Sequence, residues 1–223
     1  MKEKINKGHK LHQKYIGSNG IEYPGGSTIA GLLDKGMGMV GSAVKLTKAG
    51  YDYKKVWEEK RDAGTVLHGL IESYFTKKPF DTSVYSKVMI GRAENSMIKF
   101  YDWEKQHKIE VIETEYQFVN NILRCGGTAD LIAKIDDITT LVDYKSGGLY
   151  ESAFIQTAGY YFMVNEQMKD FDVMRVLLLH LPQTDDDKFE ARYLTDNELL
   201  QYTLIFKNLC EIYWLRKKVK EDK

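Results

Sequence analysis

A chain of 223 residues is long enough for one sizeable domain with its own buried core. With 43% hydrophobic and 29% charged residues, the composition excludes a disordered chain and points to a soluble globular fold. Acidic and basic residues cancel, so no overall field draws in nucleic acid, and any basic groove must be local.

The two ends, MKEKINKGHK and KKVKEDK, read as disordered. IEYPGGSTIAGLLDKG predicts a turn at Pro24–Gly26 and then a short helix capped by Ser27 or Thr28. GMGMVGSAV lacks the Lys-Ser/Thr pair of a phosphate loop and reads as a flexible connector. Helical spacing of Val56, Ala63, Val66, Leu67, Leu70, Ile71 and Tyr74 predicts a helix from Tyr53 to about Phe75. A second, from Val84 to Gln106, carries the stripe Val84, Val88, Met89, Ala93, Met97, Phe100 and Tyr101.

The period then changes to two. IEVIETEYQFVNN, ILRCGGTADLIAKI and TLVDYK read as three strands, joined by connections short enough for an antiparallel meander. A helix from Glu151 to Met168 follows, then strands in FDVMRVLLLHL and KFEARYLT, then a final helix capped at Thr195–Asp196. The expected fold is α/β (α+β), a central mixed sheet flanked by helices. A mainly helical part (about 1–107) precedes the strand-rich core (about 108–223) within a single domain. No apolar run approaches a membrane span and no signal-peptide core is present, which predicts a cytoplasmic protein that does not enter the membrane. Cys125 and Cys210 are too few for a disulfide framework or a four-thiolate iron–sulfur cluster.

If the second and third strands pair around Asp136–Asp137, Asp130 lies opposite Asp143. Like charges in that position destabilise a sheet unless something positive sits between them, and a divalent cation is the natural candidate. Lys145, two residues on, leaves the same face as Asp143. An ammonium there can offset charge on a phosphate oxygen. Tyr144 points the other way into the core, but its carbonyl could ligate a metal.

GTADLIAKIDDITTLVDYKSG resembles the D…(D/E)-x-K signature of the PD-(D/E)XK nuclease superfamily, most closely its RecB-like and phage-exonuclease branch. GTVLHGLIE, Gly64 to Glu72, resembles the branch's G-x-x-x-H-x-x-x-E motif, and QTAGY resembles its Q-x-x-x-Y motif. The resemblance implies a restriction-endonuclease-like core and one or two Mg²⁺ or Mn²⁺ ions held by His68, Asp130, Asp143 and the Tyr144 carbonyl. Lys145 would assist a metal-bound water. Glu72 would orient His68 or hold such a water, and Glu115 matches the family's common acidic residue. Glu113 points the same way by alternation, so the choice between the two glutamates stays open. Gln156 and Tyr160 would line the site and contact DNA or the neighbourhood of the catalytic lysine. Lys60, Arg61 and Arg124 are further candidates for DNA phosphates.

The implied activity is metal-dependent hydrolysis of DNA from a free end, in recombination, repair or replication, in a bacterial or phage setting. A structure-specific endonuclease and a non-catalytic DNA-binding module of the same fold are the alternatives. Assembly into a homo-oligomer, or with a recombination or replication partner, is compatible with the sequence. The iron–sulfur adaptation nucleases of CRISPR systems are disfavoured by the two cysteines.

Overall fold

The computed structural model describes residues 14–222, apart from positions 35, 169 and 171. A small hairpin, β1 (Tyr15–Ile16) and β2 (Glu22–Tyr23), leads into a short helix, α1 (Gly26–Ala30). Then come α2 (Met37–Lys48), α3 (Tyr53–Thr76) and α4 (Lys87–Glu104). The strands β3 (Ile109–Asn120), β4 (Cys125–Ile135) and β5 (Ile138–Lys145) follow in succession. Helix α5 (Glu151–Gln167) crosses to β6 (Arg175–His180), and β7 (Glu190–Tyr193) precedes α6 (Asp196–Glu221).

The main sheet has the order β3-β4-β5-β6-β7. Neighbours are antiparallel except β5 and β6, which α5 joins as a parallel pair. The β4–β5 hairpin closes on Asp136 and Asp137, both at positive φ (52° and 67°), the backbone that a two-residue turn between twisted strands demands. Each face of the sheet is covered. On one side α3 and α4 set Val66, Leu67, Ile71, Ala93, Met97 and Phe100 against Leu131, Ala133, Val142 and Leu177. On the other, α1, α5 and α6 set Ile29, Ile155, Met163, Phe206 and Leu209 against Phe118, Ala129, Ile132 and Leu178. Helices α3 and α4 thus form a layer on one face of the sheet, while α1 packs on the other.

Four local expectations change. GMGMVGSAV is not a connector but the body of α2. Gly36 starts that helix in the left-handed conformation at φ 67°, and Trp57 Nε1 of α3 donates to Ser42 Oγ at 3.3 Å. Helix α1 is capped by Gly25 with no side-chain bond, rather than by Ser27 or Thr28. Helix α4 starts at Lys87, not Val84, because the Ser86 hydroxyl accepts the Met89 N–H. Its buried side is Ala93, Ser96, Met97, Phe100 and Trp103, with Val84, Val88 and Tyr101 exposed. Helix α6 runs to Glu221, so most of KKVKEDK is helical, while MKEKINKGHK lies outside the described residues. A reciprocal capping box between Thr195 and Glu198 starts α6 where the sequence places it.

Gly159 marks where α5 and α6 cross. A Cβ there would lie 2.5 Å from the Phe206 ring. Helix propensity favours alanine over glycine by about 1 kcal/mol, whereas overpacking a core costs about 1–3 kcal/mol. Phe206 is fully buried and has little room to give. Gly159→Ala is therefore expected to destabilise the protein, read as a lower urea midpoint. A midpoint that rises would show that α6 yields at this crossing.

Candidate active site

The paired register of β4 and β5 ends at Leu131 opposite Val142. It stops one position short of Asp130 and Asp143, although β5 stays paired with β6 as far as Lys145 opposite His180. The β4 side of β5 is thus open at its C-terminal end. There Asp130 Oδ2 accepts the Tyr144 N–H at 2.8 Å, taking the place of a ladder carbonyl. Asp130 and Asp143 are therefore not cross-strand partners in the ladder; they flank a fork between two strands.

Helix α3 brings His68 over this fork. Its Nδ1 lies 3.3 Å from Asp130 Oδ1, and its Nε2 lies 3.2 Å from the Tyr144 carbonyl oxygen. Helix α3 comes this close because Gly64 has no side chain: a Cβ would sit 2.8 Å from Ser146 Oγ. From the other side β3 supplies Glu115, at φ 51° in a strand and therefore strained. His68, Glu115 and Asp130 each place a ligand atom within 4.8 Å of the others. One nitrogen and two carboxylates, with the Tyr144 carbonyl beside them, are a donor set suited to a divalent cation. The residues present thus fit the metal that the sequence implies.

Asp143 does not join that group. Its buried carboxylate is ion-paired with Lys145 Nζ at 2.7 Å. Burial drives the Asp143 carboxyl above its usual range, and neighbouring Asp130 adds to this against the opposing charge of Lys145. Burial disfavours the Lys145 ammonium, but Asp143 and Asp130 outweigh it and hold the lysine charged. The same contest operates on the other pair. Burial opposes the His68 imidazolium, yet Asp130 and then Glu115 raise its pKa to about 9. Asp130 resists burial through His68, Lys145 and the Tyr144 N–H, and its carboxyl stays below the usual range.

The fork opens into a cleft of about 400 Å³ lined by Arg61, Gly64, Thr65, His68, Glu115, Asp130, Tyr144, Lys145, Ser146 and Gly147. Of the two candidate glutamates on β3, Glu115 lines the cleft and Glu113 is exposed. Glu72, one helical turn beyond His68, is outside the ligand group and the cleft lining. Arg61 stands at the rim, exposed and paired with Asp62 at 3.1 Å, while Lys60 is exposed next to it. Gln156 donates through Nε2 to Tyr160 Oη at 3.0 Å. Tyr160 is 4% exposed, with its ring against Phe118, and Cβ atoms on Gly26 or Gly127 would strike it. It is a core residue that orients Gln156, not a surface for DNA. Arg124 is drawn elsewhere: its guanidinium lies 4.6 Å over the Trp214 ring, in a separate cleft with Lys217 and Lys218.

One residue of the site's framework escapes sequence reasoning. Gln183, just past β6, is 8% exposed and donates through Nε2 to the Lys60 carbonyl at 2.7 Å and to Ser146 Oγ at 3.1 Å. Asn95 and Ser96 on α4 hold its segment by the carbonyls of Gln183 and Leu181, and the Leu181 N–H donates to the Lys145 carbonyl at 2.8 Å. Residues 181–183 thereby tie α3, α4 and the end of β5 together, fixing His68 against Lys145.

The profile of the PD-(D/E)XK nuclease superfamily matches residues 43–213. With well over half of its length matched, the chain belongs to that superfamily. Members generally use divalent metal ions. Among solved structures, that of a candidate exonuclease from Eubacterium rectale aligns at 12% identity with a TM-score of 0.44. The alignment covers 65% of this chain and 62% of that one, so less than two thirds of the neighbour is spanned. No curated protein sequence matches the chain. Among the described residues, no helix is long and apolar enough to cross a membrane.

Proposed function

We propose that the protein is a divalent-metal-dependent DNA nuclease acting from a free end. The observation that carries this reading is the convergence of His68, Glu115 and Asp130 within 4.8 Å at the fork that also bears the Lys145–Asp143 pair. A divalent cation bound there would supply Lewis acidity and a more acidic bound water. His68, Glu115, Asp130 and the Tyr144 carbonyl would hold it, with Asp143 reaching it if its pairing with Lys145 rearranges. Lys145, kept as an ammonium by Asp143, offers positive charge to an equatorial oxygen of the scissile phosphate. Arg61 at the rim would meet the DNA backbone beyond the cut. Preference for an end, rather than an internal site, rests on the resemblance of Gly64–Glu72 and Gln156–Tyr160 to the motifs of the exonuclease branch.

The test is incubation with end-labelled linear DNA, single- and double-stranded, beside a closed circle, in Mg²⁺, Mn²⁺ or EDTA. Metal-dependent loss of linear DNA with the circle spared is the expected result. Cutting of the circle would make the protein an endonuclease. DNA binding without cleavage in either metal would make it a binding module.

A further inference from the structure

The cleft around His68 is lined by two aliphatic hydroxyls, and they are not equivalent. Thr65 Oγ1 donates to the Arg61 carbonyl at 3.4 Å, so its proton stays within α3. Ser146, half-buried just past β5, is placed differently. Gln183 Nε2 lies 2.7 Å from the Lys60 carbonyl oxygen and 3.1 Å from Ser146 Oγ. A carbonyl oxygen can only accept, so the Lys60 contact fixes which way the Gln183 amide faces. The group turned toward Ser146 is then a donor, and Ser146 Oγ accepts. A hydroxyl that accepts still has its own proton to give, and among the described residues none takes it. The same orientation leaves Gln183 Oε1 buried without a partner, an unfavourable state that the two donations offset.

Gly64 fixes where that hydroxyl stands. A Cβ on Gly64 would lie 2.8 Å from Ser146 Oγ, so the hydroxyl rests against the backbone of α3. Gly64 precedes His68 by one turn, about 6 Å along the helix axis, and follows Arg61 by three residues. Ser146 Oγ therefore stands beside the stretch of α3 between the metal-ligating group and the cation at the rim. We infer that Ser146 is a substrate-binding residue that donates to a non-bridging oxygen of the phosphate next to the scissile one, on the Arg61 side. Gln183 is its positioning residue, occupying the acceptor side of Ser146 so that the proton is left for the substrate. The inference rests on the proposed nuclease function and names a further contact in the same cleft. A hydroxyl on a phosphate oxygen carries no sequence information, so this contact sets the position of the strand whatever its bases.

Steady-state cleavage of linear DNA by Ser146→Ala tests the contact. The expected result is a KM raised about tenfold with kcat changed far less, because a hydrogen bond to a phosphate that is not cut serves ground and transition states alike. Gln183→Met should raise KM to a similar extent, and the double variant should be no worse than the poorer single one. Substrates with one methylphosphonate, as separate stereoisomers, at either phosphate flanking the cut separate this from loosened packing. Each replaces one non-bridging oxygen by a methyl group. At one of the two positions the methyl should raise KM for the wild type and cause no further rise for Ser146→Ala. An unchanged KM in Ser146→Ala, or losses that add at both flanking phosphates, would overturn the inference while wild-type cleavage upholds the nuclease. If the wild type binds DNA without cutting, the nuclease reading falls and the same cycle is read on Kd, with the same two deciding results. A wild type that neither binds nor cuts DNA would overturn both.

Discussion

Replacing Asp130 by asparagine is expected to lower DNA cleavage by roughly a thousandfold or more while leaving the fold in place. Charge stabilisation by a bound metal is worth several kcal/mol in the transition state, and each 1.36 kcal/mol is a factor of ten. The asparagine keeps the shape, and its oxygen can still accept the Tyr144 N–H as Asp130 does at 2.8 Å. Its amide nitrogen would then face His68 Nδ1, which must give up its proton to accept. The imidazolium loses the carboxylate that sustains it, and the metal loses an anionic ligand. Calorimetric Mn²⁺ titration should therefore show weaker binding alongside the lost cleavage. If Mn²⁺ binds Asp130→Asn as it binds the wild type, Asp130 is not a ligand.

The same substitution has a pH signature in metal-free protein. His68 has a folded pKa of about 9, above its usual 6.5, so its contribution to stability is complete below pH 6.5 and fades as pH rises to 9. Asp130, held below its usual range, contributes above the ordinary carboxylate pKa and loses that contribution as pH falls through its own lowered value. In EDTA the wild type should lose up to about 3 kcal/mol between pH 6.5 and 9, because His68 is displaced over that interval. Asp130→Asn should flatten that slope. Equal slopes in urea titrations at pH 6.5, 7.5 and 9 would mean that the pair is not formed.

Much of the fold follows from local signals. Alternation marks β3, whereas β4 and β5, buried on both faces, are marked by short apolar and β-branched runs bounded by turn residues, and Asp136–Asp137 fixes the register in which Leu131 meets Val142. The site was legible in its parts but not in its grouping. Extending that register puts Asp130 opposite Asp143, but no pattern shows that pairing ends one step earlier and leaves a fork. Alternation could not choose between Glu113 and Glu115. A register shift between Val111 and Glu113 and the positive φ at Glu115 redirect the strand locally. Arg124 reads as a DNA contact until Trp214, 90 residues away, is seen to take its guanidinium. Gln183 carries no signal at all, since its partners Lys60 and Ser146 are distant in sequence and LPQTDDDK reads as an ordinary loop. Helix α2 was hidden by its glycines, which ordinarily mark a connector; it stays largely exposed, tied to α3 by the Trp57–Ser42 hydrogen bond.

Lys145→Met should reduce cleavage by about 10²–10³-fold, the usual loss on removing one preorganised charge stabiliser. It should also destabilise the protein, since Asp143 then lies buried without its 2.7 Å partner. Breaking a buried pair from one side costs about 3–5 kcal/mol, and here protonation of Asp143 limits the loss. These two effects must be separated before Lys145 can be assigned a role in the reaction. The double variant Asp143→Asn with Lys145→Met removes both charges and should recover stability to within about 1 kcal/mol of the wild type, as replaced buried pairs often do. If Lys145 acts on the phosphate, cleavage in that double variant falls well below that of Asp143→Asn alone although the fold is restored. Urea midpoints and single-turnover rates for wild type, both single variants and the double variant form one cycle. Cleavage that returns together with stability would make the pair a structural tie, and the charge facing the phosphate would have to come from the cleft rim, where Arg61 stands.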